Sequence, residues 1–145
     1  DALFNKRSGM MGMTGFGDLR EVHRLVAEGN EDAKLALDVY VHRIVGYIGN
    51  YTAQMGGVDV ITFTAGVGEN DDVVRKMVCD KLAPFGVKLD EEKNATRSKE
   101  PRIISTPDSK ITICVIPTNE ELAIARKSAA IAEAGEDTYG NVFSK

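Results

Sequence analysis

Val58 to Met77 reads VDVITFTAGVGENDDVVRKM. Val58, Val60, Ile61 and Phe63 form a short, β-rich apolar run, which predicts a buried strand over Asp59–Thr64. Gly66 and Gly68 follow, two positions apart. Beyond them the spacing becomes helical: Val74, Met77, Val78 and Leu82 share one face, and Asn70 is a candidate N-cap for a helix from Asp71 to about Leu82. A strand, a glycine turn and a helix in that order form the repeating unit of an α/β protein.

Upstream, Gly56 and Gly57 interrupt a long helical pattern. Ala33, Leu37, Tyr40, Val41, Ile44 and Ile48 recur at spacings of three and four, so a helix is expected from about Asn30 to Met55. Gly46 and Gly49 weaken it, which points to close approach of another element or another subunit. Before it, Asp18 with Glu21 three residues on is an aspartate form of the capping box, and Gly29 is a left-handed stop. The preceding stretch SGMMGMTGFG (Ser8–Gly17) has four glycines in ten positions and reads as a loop able to wrap a ligand.

Downstream, Pro84 and Gly86 end the helix that follows Asn70. A short strand is expected at Val87–Leu89, then an exposed charged loop, then another short strand in RIIS (Arg102–Ser105). Ile111–Ile116 reads as a strand ended by Pro117. Thr118 is the expected cap of a helix running to about Ala134, with Glu121 completing its capping box. The tail from Gly135 is polar and expected to fray. Two strands that each feed a helix predict a sheet with parallel pairing, and ligands gather at the carboxyl ends of such strands. No repeat or linker divides the chain, so residues 1–145 read as part of one domain.

Composition narrows the partners. The net charge is −4 over 145 residues, which gives no basic footprint for nucleic acid. No apolar run approaches the length of a membrane span, and no signal-peptide pattern opens the chain. Cys79 and Cys114 read as reduced thiols of a cytoplasmic protein. His23 and His42 have no Cys/His cluster around them, which argues against zinc.

Three motifs fall where a ligand would sit, and each has a plainer reading. AGVGEN (Ala65–Asn70) is not a Walker loop, because no Gly-Lys-Ser/Thr follows. It is not a full dinucleotide fingerprint either, because Asp71 takes the third glycine's place. Local pattern leaves open a tight turn or a ligand loop. The carboxylates of Glu69, Asp71 and Asp72 favour a nucleoside over a phosphate chain. In PTNEE, Glu120 and Glu121 project about 100° apart on a helix. With Glu121 engaged in capping, Glu120 is left as the candidate for Mg²⁺, held through water. The plainer reading is that both complement the helix dipole. In GDLRE, Asp18 could accept from ribose hydroxyls and Arg20 could stack on a base, or they could simply cap and solvate. His23, His42, Arg75 and Arg126 read as helix-face or surface residues, and Met10, Met11 and Met13 as loop packing.

Taken in order, SGMMGMTGFGDLR, ALDVYVHRIVGYIGNY, TFTAGVGEN and VIPTNEELAIAR resemble the last third of the acetate kinase family, which includes propionate and butyrate kinases. The resemblance runs from Ser8 to Arg126. It implies the C-terminal domain part of an actin-like ATPase fold, which the family shares with sugar kinases. It also implies that Asp18, Leu19 and Arg20 contact adenosine, that Gly66, Val67, Gly68, Glu69 and Asn70 form the other wall, and that Glu120 lies near Mg²⁺. The implied reaction moves a phosphoryl group between ATP and a short-chain carboxylate, giving acetyl phosphate and ADP from acetate, in a cytoplasmic homodimer. Gly17 stands where the family often has Ser or Asn, which removes a side-chain contact there. The groups that orient acetate lie in segments outside this chain, so alone it is expected to have almost no activity. The rival of another class is a non-catalytic nucleotide-binding or dimerisation module.

Overall fold

The computed structural model describes residues 1–134. In chain order its helices are α1 (Ala2–Lys6), α2 (Gly9–Thr14), α3 (Leu19–Ala27), α4 (Glu31–Met55), α5 (Ala65–Asn70), α6 (Asp72–Leu82), α7 (Glu91–Ala95) and α8 (Glu120–Ala134). Its strands are β1 (Val60–Phe63), β2 (Arg102–Ile103) and β3 (Thr112–Val115), and a 3-10 turn, Ala83–Phe85, follows α6.

The three strands form one sheet in the order β1-β3-β2. β1 and β3 are parallel, with Val60 opposite Thr112 and Phe63 opposite Val115, as two strands feeding two helices predicted. β2 joins antiparallel, with Arg102 opposite Val115. One core joins α3, α4, α6 and the sheet. Val22 of α3 meets Leu37 and Val41 of α4, then Val74, Val78 and Leu82 of α6, then Ile104, Ile113 and Val115 of the sheet. Burying each aliphatic side chain of this kind stabilises the fold by about 1.5–3 kcal/mol.

The long helix has the expected limits. Asn30 caps it, with Oδ1 accepting from Ala33 N at 2.9 Å, and Gly56 ends it at φ +74°. At the end of α3, Asn30 N donates to Leu25 O and Gly29 N to Val26 O. Those two bonds make a Schellman cap, and the φ of +84° at Gly29 is why glycine serves there.

Several local expectations are corrected. Ser8–Gly17 is not a loop, since α2 occupies most of it. Thr14 Oγ1 donates to Met10 O at 2.8 Å, and a Cβ at Gly12 would lie 2.8 Å from the Arg7 carbonyl oxygen. Glycine there permits a close turn rather than mobility. Val87–Leu89 is not a strand: among the described residues its pairing is a single bridge, Leu89 to Ser105. The charged loop after it contains α7, capped by Asp90, which accepts from Lys93 N at 3.0 Å. β1 is the edge of the sheet and not a buried strand, and Val60 is 51% exposed. The polar tail from Gly135 lies outside the described residues.

Candidate functional site

β1 stops at Phe63, and the chain turns at once into α5. Ala65 starts that turn at φ +59°, a left-handed conformation that residues with a Cβ adopt at a cost. AGVGEN is therefore neither an open loop nor a plain turn. It is a six-residue helix packed on the end of β1. A Cβ at Gly68 would sit 3.1 Å from the Phe63 carbonyl carbon, whereas one at Gly66 would meet nothing within 4 Å. Gly68 is required by the strand, and Gly66 is open towards solvent space. Asn70 does not cap the next helix. Its Nδ2 donates back to Gly66 O at 2.8 Å, and Asp71 caps α6 by accepting from Val74 N at 2.9 Å.

Beneath α5 lies Arg75, which is 2% exposed and not a surface residue. Its Nη1 donates to Gly68 O and Glu69 O, both at 3.0 Å. Its Nε donates to Asn94 Oδ1 at 2.8 Å and its Nη2 to Asn94 O at 2.7 Å. Burial, and then the neighbouring Arg102, push its pKa down from the usual value. The carbonyl ends of α5 meet this buried cation as helix C-termini favour. The sequence did carry a signal for it: Arg75, Val78, Cys79 and Leu82 lie on one buried stripe.

A cleft of about 810 Å³ opens beside α5. Asp18, Leu19 and Arg20 line it together with Gly66, Val67 and Asn70. Asp18 caps α3 as expected, Oδ1 accepting from Arg20 N at 2.9 Å. Glu21 does not complete a capping box and instead pairs with Arg24 at 3.0 Å. Arg20 Nη2 lies 2.6 Å from Asp18 Oδ2, while the Arg20 side chain stays 90% exposed. The hydrogen bonds from Arg20 hold the Asp18 carboxyl down at about 2. The cleft thus presents an ionised acceptor beside an open guanidinium plane, which suits hydroxyl-bearing and planar ligand parts.

Sequence reasoning did not assign Tyr40 and Arg97 to this cleft. Both line it. The phenol of Tyr40 is pushed above its usual range by burial and then by Asp71. Behind the cleft, His23 Nε2 lies 2.7 Å from Asp71 Oδ2, joining α3 to the start of α6. The sequence places His23 on a helix face, and its partner Asp71 is 48 positions away.

Gly68 and Glu69 do not line the cleft. Glu69 borders a second hollow of about 470 Å³, with Thr118 and Asn119 across from it. Glu69 Oε1 accepts from Thr118 N at 2.8 Å and Thr118 Oγ1 at 3.1 Å. The bond from the Thr118 backbone is the main cause that lowers the pKa of Glu69. Thr118 is not the cap of α8; Asn119 is, with Oδ1 accepting from Leu122 N at 2.9 Å. The pairing of Thr118 with Glu121 in a capping box therefore fails, and Glu120 and Glu121 are both exposed in the first turn of α8. Glu120 lines neither hollow. Among the described residues no three His, Cys, Asp or Glu side chains gather as a metal cage. A single exposed carboxylate still suits Mg²⁺, which keeps most of its waters and binds through one or two protein oxygens.

Two parallel strands, each followed by a helix start and with hollows at their carboxyl ends, make this an α/β protein of the kind in which ligands gather at those ends. The sequence model of the acetokinase family matches residues 1–126, and the chain belongs to that family. The acetate kinase of Desulfotalea psychrophila is 54% identical over 134 residues, which is 92% of this chain and 33% of that protein. The crystal structure of Porphyromonas gingivalis acetate kinase superposes with a TM-score of 0.82 at 43% identity, over 90% of this chain and 33% of that one. A propionate kinase from Francisella tularensis subsp. tularensis SCHU S4 gives a TM-score of 0.78 at 39% identity, over 87% and 32%. The chain spans about a third of the length of the curated relatives it matches. Its architecture is part of the actin-like ATPase fold. Among the described residues no helix is long and apolar enough to cross a membrane.

Proposed function

We propose that this chain supplies the adenosine-binding part of an acetate kinase, which transfers a phosphoryl group between ATP and acetate to give acetyl phosphate and ADP. The observation that carries the reading is the convergence of Asp18, Leu19 and Arg20 with Gly66, Val67 and Asn70 on one cleft beside the end of β1. Asp18 accepts from the ribose hydroxyls, and Arg20 stacks on the base with its exposed guanidinium plane. Gly66 lets the backbone come close to the nucleoside, because no Cβ stands between them. Gly68 and Glu69 lie on the same helix but outside the lining of the cleft: Gly68 lets α5 approach the end of β1, and Glu69 faces Thr118.

Glu120 would hold Mg²⁺ through a bound water. When bound, Mg²⁺ neutralises charge on the phosphate oxygens during transfer. Phosphoryl transfer depends on positioning and electrostatics, and the fixed α5 and α8 starts provide the positioning on this side. The exposed ridge Leu35, Val39, Tyr47, Tyr51 and Met55, four residues apart on α4 with Arg43 between, supports a homodimer. The free thiols Cys79 and Cys114 agree with a cytoplasmic location.

Calorimetric titration of the full-length protein with ADP tests the pocket. Saturable binding that Asp18→Ala weakens is the expected result, and absence of binding by folded protein rejects the reading. A second reading, propionate as acceptor, is favoured by the likeness to the Francisella propionate kinase. Comparing turnover on acetate and propionate in the full-length protein separates the two.

A further inference from the structure

We propose that Glu69 is a positioning residue, one that ties the adenosine-facing helix α5 to the segment carrying Glu120 and does not itself bind the nucleotide. The inference rests on the function proposed above. Three observations lead to it. First, Glu69 borders the second hollow and is absent from the lining of the cleft that Asp18 and Gly66 share. Its carboxylate is turned to the neighbouring strand end.

Second, that carboxylate already has partners. One oxygen accepts both the Thr118 amide, at 2.8 Å, and the Thr118 hydroxyl, at 3.1 Å. Hydrogen bonds to an ionised acceptor are shorter and about twice as strong as neutral ones. The β1–β3 ladder ends just before this point, with Ile116 N donating to Phe63 O at 2.9 Å. Past that bond the two chains separate into α5 and α8. The Glu69–Thr118 contact is the next link across the gap.

Third, Glu69 is held at its other end as well. Its carbonyl oxygen accepts from buried Arg75 at 3.0 Å. Main chain and side chain are thus fixed on opposite sides, and the residue spans from the Arg75–Asn94 cluster to Thr118 as a strut. Glu120 stands two positions after Thr118, at the first residue of α8. Where Thr118 sits therefore sets where Glu120 sits relative to Gly66 and Val67.

The test uses the full-length protein carrying Glu69→Ala, Glu69→Gln or Thr118→Val. Losing an outer residue that orients a metal-associated group costs about 10- to 100-fold in metal affinity or activity. Glu69→Ala is expected to lower kcat and raise the half-saturating Mg²⁺ concentration by amounts in that range. The Kd for ADP measured in EDTA should change less than about twofold, a shift of roughly 0.4 kcal/mol at most. Glu69→Gln keeps an oxygen acceptor and should recover most of the loss. Thr118→Val removes only the hydroxyl bond and should fall between. Hydrogen exchange at the Thr118 amide should quicken in Glu69→Ala with or without Mg²⁺. The proposal is overturned if metal-free ADP binding weakens as much as kcat, if Glu69→Gln is no better than Glu69→Ala, or if exchange and Mg²⁺ dependence stay as in the parent. Should Glu69→Ala fail to fold, Glu69→Gln and Thr118→Val decide by the same readouts. Failure of the unmodified protein to bind ADP counts against the proposed function instead.

Discussion

Arg75 grips Asn94 at two points, its Nε on the side-chain oxygen at 2.8 Å and its Nη2 on the carbonyl at 2.7 Å. Asn94 in turn donates to Asp72 O at 2.9 Å, so α6, α7 and the carbonyl end of α5 meet at one buried guanidinium. Arg75→Met leaves acceptors at Asn94, Gly68 and Glu69 without their donor. Each buried acceptor left unpaired costs about 1–3 kcal/mol, so the loss should exceed about 2 kcal/mol in denaturant unfolding. Arg75→Lys should recover little, because an ammonium cannot reproduce the planar fork.

Gly66 and Gly68 should respond in opposite ways. A Cβ at Gly68 strikes the end of β1, so Gly68→Val lowers the melting temperature. Gly66→Val meets open space in the protein and leaves melting nearly unchanged. It should raise the Kd for ADP about tenfold, equal to about 1.4 kcal/mol, by crowding the proposed nucleoside. An ADP affinity in Gly66→Val equal to that of the parent rules out the contact.

The start of α8 separates a structural residue from a functional one. Asn119→Ala removes the cap and should cost about 1 kcal/mol of stability. Glu120→Ala should lower turnover far more than Glu121→Ala, with both leaving stability almost unchanged. Equal effects on turnover would reject the assignment of Mg²⁺ to Glu120.

Cys79 offers a chemical test of the core. It is 2% exposed, and burial pushes its thiol from 9.0 up to about 11. Since the thiolate is the reactive form, Cys79 should resist a maleimide at pH 8 in the folded protein and react after denaturation. A folded-state pKa above the unfolded one contributes stability that is full below pH 9 and is lost as pH rises through about 11. Unfolding midpoints across that window should fall for the parent and fall less for Cys79→Ala.

The main elements were legible because their signals are periodic. The Asn30–Met55 helix, the α6 stripe and the β3 run each repeat apolar residues at one spacing, and caps at Asp18, Asn30 and Gly56 mark the ends. What failed were local choices between neighbours that offer the same chemistry. Asn70 and Asp71 can both cap a helix, as can Thr118 and Asn119, and packing chose the second of each pair. Glycine composition misled at Gly12, where the small residue serves a tight contact. The cleft was legible only as separate motifs. The links that assemble it, His23 with Asp71 and Glu69 with Thr118, join residues nearly fifty positions apart, and no local pattern records such pairs.

The parallel pairing of β1 with β3 also bears on how the chain acquires its structure. Val60 finds its sheet partner only at Thr112, with α5, α6, α7 and β2 in between. Contacts this distant form late, whereas α3 and α4 adjoin in sequence and can dock early. As the ribosome extends the chain, β1 therefore emerges before β3, and the edge that β3 will cover stays open until β3 has followed. That interval is when strand-to-strand association with another nascent chain competes with the native sheet.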